Sequence, residues 1–420
     1  MLKISVLVLA AMLQQTPSLD STSPKERQAA VEQMAKPGNI EAIPALASAL
    51  KKEPKSDVRA QILSGLARIG GSAVPPIIAG SLASDLDKDV RLQAVEALQR
   101  VYIPGTDTGT LQTLFNRAKN VVYSSQRPAL PAGVKVDTVT TDALAAAMQK
   151  DPIEDVRAGS ARVLGNLMAK AYVPVMITTL EDPQNADHKA VRKEIVMSLG
   201  VIRDVSAGPA IQKTLRDRDA GIMSESILAI GLMGYAPARP QLEDIFRNDT
   251  RREMKEQSLE ALAMLRDPGG KALFESLLPS TNDFYREKAA EGLARTDYDA
   301  AGMIELLKLE KKANVRNAMT FALVSSNHDD YINELTNALN SRLSAQAEMY
   351  IYELGKYRGK AALLNGYLRS SDPKVRAGMA RIMGRIGDAS SRVPLEELTK
   401  DPNTDVMREA VNALRQMNTK

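Results

Sequence analysis

The chain has no cysteine and no tryptophan, and only two of its 420 residues are histidines. Without cysteine there can be no disulfide, no thiolate zinc site and no cysteine nucleophile. Two histidines leave little material for a metal site or a Ser-His-Asp triad. The aromatic content of 4% is low for a β-sandwich core and favours helices packed through small and aliphatic side chains.

Charge is nearly balanced, with 55 Lys and Arg against 51 Asp and Glu, which gives a net charge of +4. No run of Lys or Arg is longer than two. A nucleic-acid-binding protein more often concentrates its basic residues in a stripe. The sequence therefore predicts no nucleic-acid partner.

Residues 1–18 differ from the rest of the chain. Lys3 precedes an apolar run over residues 4–13, and a polar segment with Pro17 follows. The run is shorter than the roughly 20 apolar residues that span a bilayer. The pattern predicts a signal peptide at 1–18, an exported protein that is periplasmic or secreted, and no stable membrane insertion after removal of the signal. The alternative is an apolar first helix of the fold.

A Val-Arg pair recurs along the chain, each time at the start of an amphipathic segment. Clear copies carry Arg59, Arg91, Arg157, Arg192, Arg316 and Arg376, and weaker copies align at Arg27, Met223, Lys255, Arg286, Ala347 and Met407. Successive copies are 29 to 35 residues apart, except for a step of 66 between Arg91 and Arg157. A repeat of this length indicates a stack of similar units.

Each copy predicts a pair of helices. Apolar residues such as Val58, Ile62 and Leu66 share one face of a helix with a period of 3.6 residues. Gly ends several of these helices, and Pro recurs seventeen residues after the anchor position, where it opens a second helix such as 43–50 or 173–180. The predicted fold is an all-α, right-handed α-solenoid of about twelve stacked two-helix repeats.

The pattern Asp-x-x-Val-Arg-x-x-Ala followed by Ala-Leu-Gly resembles the short HEAT-like repeat of the phycobilin lyase type. The resemblance covers about residues 23–418 and implies that each arginine and the acid before it link neighbouring turns. It implies a structural ladder formed by Arg59, Arg91, Arg157, Arg192, Arg316 and Arg376. The fold hosts scaffolds, lyases and DNA-repair proteins alike, so the resemblance leaves function open.

The repeat pattern is interrupted at 102–138. This segment contains a predicted helix and a loop at 123–136 with two prolines and a glycine. It divides the repeats into an N-terminal set at 19–101 and a C-terminal set at 139–420. The segment is either a decayed repeat or an insertion, and insertions in solenoids are often found on the binding face. Arg127 and Lys135 in it are candidate partner-binding residues.

The sequence offers no convincing catalytic, cofactor or metal site. His188 and His328 fall in turns, far apart in sequence, and the His-Glu dyads of HEAT-like iron hydroxylases are absent. His328 precedes Asp329 and Asp330, which could bind a cation but are also the acids expected at a helix start. We expect a non-enzymatic protein without cofactor.

The remaining candidates lie on the face opposite the apolar one, five and nine residues after each anchor position. Most copies are polar there, as at Glu96, Arg162, Glu260 and Glu291. Apolar or aromatic residues interrupt this face at Met197, Val201, Leu228, Leu232, Phe321 and Tyr352. Exposed residues of this kind favour protein binding. Alternatively, curvature buries them between repeats.

The sequence therefore predicts a non-catalytic scaffold that binds a protein partner along its concave face. A lyase-like or chaperone subunit acting on a partner's cofactor or peptide is the alternative. A nucleic-acid binder, which the charge pattern disfavours, is the third possibility.

Overall fold

A computed structural model of the chain describes residues 17–103, 130 and 133–418. Within these residues the chain forms two compact units. The described part of unit 1 is 17–103 and 136–159, and that of unit 2 is 130, 133–135 and 160–418. All regular structure in the described part is helical, so the predicted all-α solenoid class is confirmed.

Within each unit the helices alternate between two rows, and each anchor position of the repeat lies on a helix of the odd-numbered row. The odd row consists of α1 (Pro24–Met34), α3 (Ser56–Ile69), α5 (Lys88–Tyr102), α7 (Glu154–Asn166), α9 (Lys189–Ile202), α11 (Ala220–Met233), α13 (Arg252–Met264), α15 (Asp283–Ala294), α17 (Ala313–Ser325), α19 (Ser344–Tyr357), α21 (Pro373–Ile386) and α23 (Thr404–Asn418). The even row consists of α2 (Ile43–Lys52), α4 (Val74–Ser84), α6 (Thr138–Lys150), α8 (Val173–Glu181), α10 (Gly208–Thr214), α12 (Arg239–Asn248), α14 (Lys271–Leu277), α16 (Met303–Leu309), α18 (Ile332–Ala338), α20 (Ala361–Asn365) and α22 (Arg392–Leu398).

Neighbouring odd helices pack side by side, as α3 does on α5 in unit 1 and α9 on α11 in unit 2. The even helices form the second row, in which α4 packs on α6 and α8 on α10. This arrangement buries the apolar face that each helix pair cannot cover alone. On α3, for example, Val58, Ile62 and Leu66 are each at most 1% exposed.

Local sequence explains where the helices begin and end. The carboxylate of Asp87 accepts hydrogen bonds from the amides of Asp89 and Val90 and thereby caps α5. Gly70 and Gly234 follow α3 and α11 with φ values of 73° and 67°, a conformation that costs little only for glycine.

Glycine within the odd helices permits close packing. A Cβ on Gly200 would lie 2.7 Å from the Cβ of Ala229, and one on Gly384 would lie 2.5 Å from the Cα of Ala413. Both glycines stand eight residues after the anchor position of their repeat. The glycine at this position of the repeat therefore sets how closely successive odd helices approach.

The repeats on either side of the interruption are direct neighbours in unit 1. Arg91, on α5, donates two hydrogen bonds to Asp151, which follows α6, and the two residues are 60 positions apart. The equivalent pair Arg59 and Asp85 is separated by 26 positions. The extra residues therefore enter a single repeat between α5 and α6, and the stack continues across them. Residues 104–129 lie outside the described part of the chain.

Candidate interaction face of unit 2

The repeated arginines join the turn of one repeat to the turn of the next. Arg59 donates to the carboxylate of Asp85 over 2.7 and 2.8 Å, and its Nη1 donates to the carbonyl oxygens of Glu53 and Pro54. Each arginine thus donates hydrogen bonds to backbone carbonyl oxygens of its own turn and neutralises the acid of the following turn. The same connection joins Arg27 to Glu53, Arg91 to Asp151, Arg192 to Asp217, Arg286 to Glu310 and Arg376 to Asp401.

These ion pairs keep the carboxylates ionised. Hydrogen bonds from Arg27 lower the pKa of Glu53, and hydrogen bonds from Arg376 lower the pKa of Asp401, in both cases against the opposing effect of burial. The oxygens of these acids are occupied by guanidinium and backbone N–H donors. The ladder role is therefore structural.

Two of the predicted ladder arginines donate hydrogen bonds to residues of the even row. Arg157 donates from Nε to the carbonyl oxygen of Met148 at 3.0 Å. Arg316 donates to the carboxylate of Glu334 at 2.7 Å and to the carbonyl oxygen of Leu307 at 2.6 Å. Both still connect an odd helix to a neighbouring turn or to the even row.

The free face of the odd row, defined by the positions five and nine residues after each anchor, carries the predicted partner-binding residues of unit 2. Met197 and Val201 lie one turn apart on α9, and Leu228 and Leu232 occupy the equivalent positions on α11. All four are partly exposed. Because α9 packs on α11, these residues form an apolar strip across two repeats. Their role in binding stays a prediction.

The prediction of an exposed Phe321 is wrong. Its side chain on α17 is 1% exposed and stacks on Tyr350, with ring centroids 4.6 Å apart and an interplanar angle of 5°. Arg295 lies over the same ring, 5.7 Å from its centroid. Phe321 is buried because side chains from other repeats cover this part of the free face.

Phe321 is covered by a buried charge cluster of Lys288, Glu291, Arg295, Tyr350 and Glu353. Glu291, which the sequence placed on a solvated face, is 1% exposed and accepts hydrogen bonds from Lys288 at 2.9 Å and from Tyr350 at 2.6 Å. Lys288 and Arg295 hold the pKa of Glu291 low even though burial opposes this. Burial also raises the pKa of Tyr350, which therefore remains a hydrogen-bond donor.

The cluster connects repeats that are not adjacent. Tyr350 on α19 bonds to Glu291 on α15, two repeats earlier. Arg266, which follows α13, bonds to Glu353 at 3.0 Å across three repeats. Such contacts require the odd row to bend towards its free face, so this face of unit 2 is concave between α13 and α19. The sequence of a single repeat cannot predict these contacts, because the two partners are 59 and 87 residues apart.

Tyr352 lies beside the cluster and is half-buried. The Arg385 guanidinium stands 4.6 Å from its ring centroid, and Tyr357 makes an edge contact at 6.3 Å. Tyr357 is 53% exposed and carries Arg266 over its ring at 4.0 Å. Burial raises the pKa of Tyr352, and the charges of Arg385 and Arg203 oppose this rise.

An open pocket of about 610 Å³ lies on the free face at the C-terminal end of unit 2. We call it the basic pocket, because arginines dominate its lining of Arg381, Arg385, Arg415, Glu409, Asn412 and Gln416. Arg381 is held by Glu348 and by Glu409. The sequence analysis missed this pocket, since its arginines are spread over two repeats and form no run.

Glu194 on α9 also lies near this face. It stands 4.0 Å from Arg162, and its Oε2 atom is buried without a hydrogen-bond partner. Burial raises the pKa of Glu194 to about 7, although the charge of Arg162 acts in the opposite direction. Its carboxyl therefore titrates near neutral pH.

The remaining candidates lie elsewhere. His188 precedes α9, and His328 stands 3.9 Å from Asp299 at the start of the short helix Asp329–Tyr331. Lys360 forms an ion pair with Asp329 at 2.7 Å. Lys135 is exposed, and Arg127 lies outside the described residues.

Over residues 17–103, 130 and 133–418, no three acidic or histidine side chains are grouped as a metal site would require. Over the same residues, no helix combines the length and apolarity needed to cross a bilayer.

A family profile for HEAT repeats matches residues 12–99, 184–263 and 360–420. These segments make up more than half of the chain, so the protein belongs to the HEAT repeat family. Proteins of this class use stacked helix pairs to present extended concave binding surfaces. No curated protein matches the sequence significantly.

Solved structures with a similar arrangement include an engineered protein, with 17% identity, a TM-score of 0.41 and coverage of 95% of this chain and 97% of that chain. Escherichia coli YibA has 15% identity and a TM-score of 0.43 over 70% of this chain and 94% of that chain. Human deoxyhypusine hydroxylase has 18% identity and a TM-score of 0.27 over 67% of this chain and 96% of that chain. At these TM-scores none of the likenesses bears on what this chain binds.

Proposed function

We propose that this protein is a non-catalytic scaffold that binds a protein partner along the concave free face of unit 2. The observation that carries the proposal is the apolar strip of Met197, Val201, Leu228 and Leu232, which is partly exposed on two adjacent odd helices. Clustered apolar side chains at the surface of a soluble fold are typical of protein-binding sites. A partner that covered the strip would bury its apolar area and gain the corresponding hydrophobic free energy.

The construction of the fold supports a binding role for this face. The ladder arginines occupy the turns, and the even helices cover the opposite side of the odd row. On α9 and α11, where the positions five and nine residues after the anchor are partly exposed, they are thus free to vary without loss of the repeat. When the residues that maintain the fold are separate from the exposed residues, the exposed residues can differ between repeats and so recognise a specific partner.

The proposal includes export and a narrower family resemblance. The pattern of residues 1–18 supports a removable signal, which would place the partner in the periplasm or outside the cell. The arginine ladder, with an acid six residues before most anchors, supports a likeness to repeats of the phycobilin lyase type.

Site-specific photo-crosslinking tests the scaffold function. A benzophenone amino acid at Leu228 should crosslink to one discrete partner protein in native cells. The same group at Val393, which is 62% exposed on the even helix α22, is the matched control and should give no such product. Leu228→Asp should then weaken capture of that partner, whereas Val393→Asp should not. Equal crosslinking at both positions, or none at Leu228, would refute binding at the strip.

A further inference from the structure

The C-terminal part of the free face combines arginine and tyrosine side chains. Arg385 lies over the Tyr352 ring, and Arg266 lies over the Tyr357 ring. Stacking on a ring fixes the orientation of a guanidinium. Arginine and tyrosine are also the residues most enriched at the energetic centres of protein interfaces.

The basic pocket continues this surface. Three arginines line it against a single acid, Glu409. Glu409 and Glu348 both bond to Arg381 and so hold its guanidinium in place. Arg415 and Gln416 are exposed on α23, at the rim of the pocket. Arginine thus outnumbers acid in the lining of the pocket, whereas acids and bases nearly balance over the whole chain.

We propose that the basic pocket, together with Tyr352 and Tyr357, binds an extended acidic segment of a protein partner. Guanidinium groups recognise carboxylates through paired N–H···O hydrogen bonds, and the tyrosine rings supply apolar area between them. The pocket is open, so it accepts a chain that passes through it. This inference rests on the scaffold function, because it specifies the chemistry of part of the partner.

An acidic peptide fits this surface better than a nucleic acid does. Glu409 lines the pocket and Glu348 lies beside it, and both would face a continuous row of phosphates. A peptide can instead place its carboxylates only opposite the arginines, with uncharged residues opposite the two acids. Complementarity of this kind favours the correct partner and rejects like charge.

Fluorescence anisotropy with the full chain tests the proposal. The probe is a labelled peptide of alternating Glu and Ser, compared with the same peptide carrying Gln in place of Glu. We expect the acidic peptide to bind at low salt, to weaken as salt is added, and to bind at least about tenfold more tightly than the Gln peptide. Equal binding of the two peptides, or no binding of either, would overturn the proposal.

Paired variants locate the site. Arg385→Gln with Arg415→Gln should weaken binding of the acidic peptide about tenfold or more. The matched control is Arg218→Gln with Arg342→Gln, which removes the same charge from two exposed turn residues of unit 2. It should change binding less than about twofold. Equal losses in both variants would mean non-specific attraction and would refute the pocket as the binding site.

Circular dichroism verifies that each variant keeps its helicity. If the double variant does not fold, Arg415→Gln alone, a change at an exposed residue, tests the site.

Three further outcomes distinguish the two proposals. If a single-stranded oligonucleotide of equal charge displaces the peptide and binds more tightly, the pocket is a nucleic-acid site and the proposal is wrong. If the peptide fails to bind while crosslinking at Leu228 persists, the acidic-segment assignment fails and the scaffold function stands. Loss of crosslinking at Leu228 with peptide binding intact would refute the apolar strip alone.

Discussion

Arg295 and Glu353 form a two-point ion pair between residues 58 positions apart, with Nε–Oε2 and Nη2–Oε1 distances of 3.0 and 2.8 Å. Arg295 follows α15 and Glu353 lies on α19, so the pair spans two repeats. Together with Tyr350 and Glu291 it holds the odd row in its bent form. The curvature of this part of the free face therefore depends on a few buried charges.

Replacing Glu353 by Gln should lower the free energy of unfolding by about 3 kcal/mol, because the buried Arg295 would keep only the more distant Glu291, at 3.5 Å, as a countercharge. Urea unfolding followed by circular dichroism measures the loss. Glu397→Gln breaks the exposed ion pair with Arg369 and should cost less than about 0.5 kcal/mol. Similar costs for the two variants would show that the buried pair does not stabilise the bend.

Replacing Arg376 by Ala should destabilise the protein by about 2 kcal/mol, because Asp401 and the carbonyl oxygens of Ser370 and Ser371 lose their donor. Since repeats couple mainly to their neighbours, the loss of amide protection should concentrate in α21 to α23. Hydrogen exchange measured against Arg408→Ala, a change at an exposed arginine of α23, provides the comparison. A uniform loss across unit 2 would contradict this picture of the ladder.

Phe321 and Tyr352 should respond differently to the same substitution. Phe321→Ser removes a ring that is 1% exposed and should cost about 3–5 kcal/mol. Tyr352→Ser changes a half-buried side chain and should cost about 1 kcal/mol. Thermal unfolding distinguishes the two. If Tyr352→Ser is as costly as Phe321→Ser, Tyr352 belongs to the core and does not form part of a binding surface.

Stability should depend on pH through Glu194. Its pKa in the folded protein is about 7, against an ordinary value of 4.5, so the folded state binds more protons between these two pH values. The free energy of unfolding should therefore fall as pH rises from about 4.5 to about 7, and the loss should remain in full above that range. Glu194→Gln should abolish this dependence and stabilise the protein at pH 8 by about 1–3 kcal/mol.

Chemical unfolding at several pH values measures this effect. Glu181→Gln, at an exposed carboxylate of α8, is the control and should leave the pH profile unchanged. An unaltered profile in Glu194→Gln would show that another group is responsible.

Export should be visible at the N-terminus of the protein. N-terminal sequencing of material from the native envelope or medium should begin near residue 19, since the pattern of residues 1–18 predicts removal of this segment. A variant that lacks residues 1–18 should stay in the cytoplasm. Intact Met1 on soluble cytoplasmic protein would contradict export.

Features that depend on one repeat could be read from the sequence. The Val-Arg spacing located all twelve odd helices in the described residues. It also located the capping glycines Gly70 and Gly234, and ladder arginines such as Arg59 and Arg376. Each of these features depends on residues within one helical turn or on the next repeat, so the period of the pattern was enough to reveal them.

The segment between Arg91 and Arg157 could be interpreted only with the tertiary structure. Its length in sequence allowed either a decayed repeat or an insertion. The ion pair between Arg91 and Asp151 shows that the flanking repeats are neighbours, because it reproduces the contact that joins adjacent repeats elsewhere.

Helical periodicity determined which residues share the free face, and the tertiary structure decided which of them remain exposed. Met197 and Leu228 stay partly exposed, whereas Phe321 and Glu291, at the same position in their repeats, are buried. The physical reason is that curvature accumulates from small rotations between successive repeats. Contacts across two or three repeats, such as Tyr350 with Glu291, arise from that sum and leave no trace in the spacing of any single repeat.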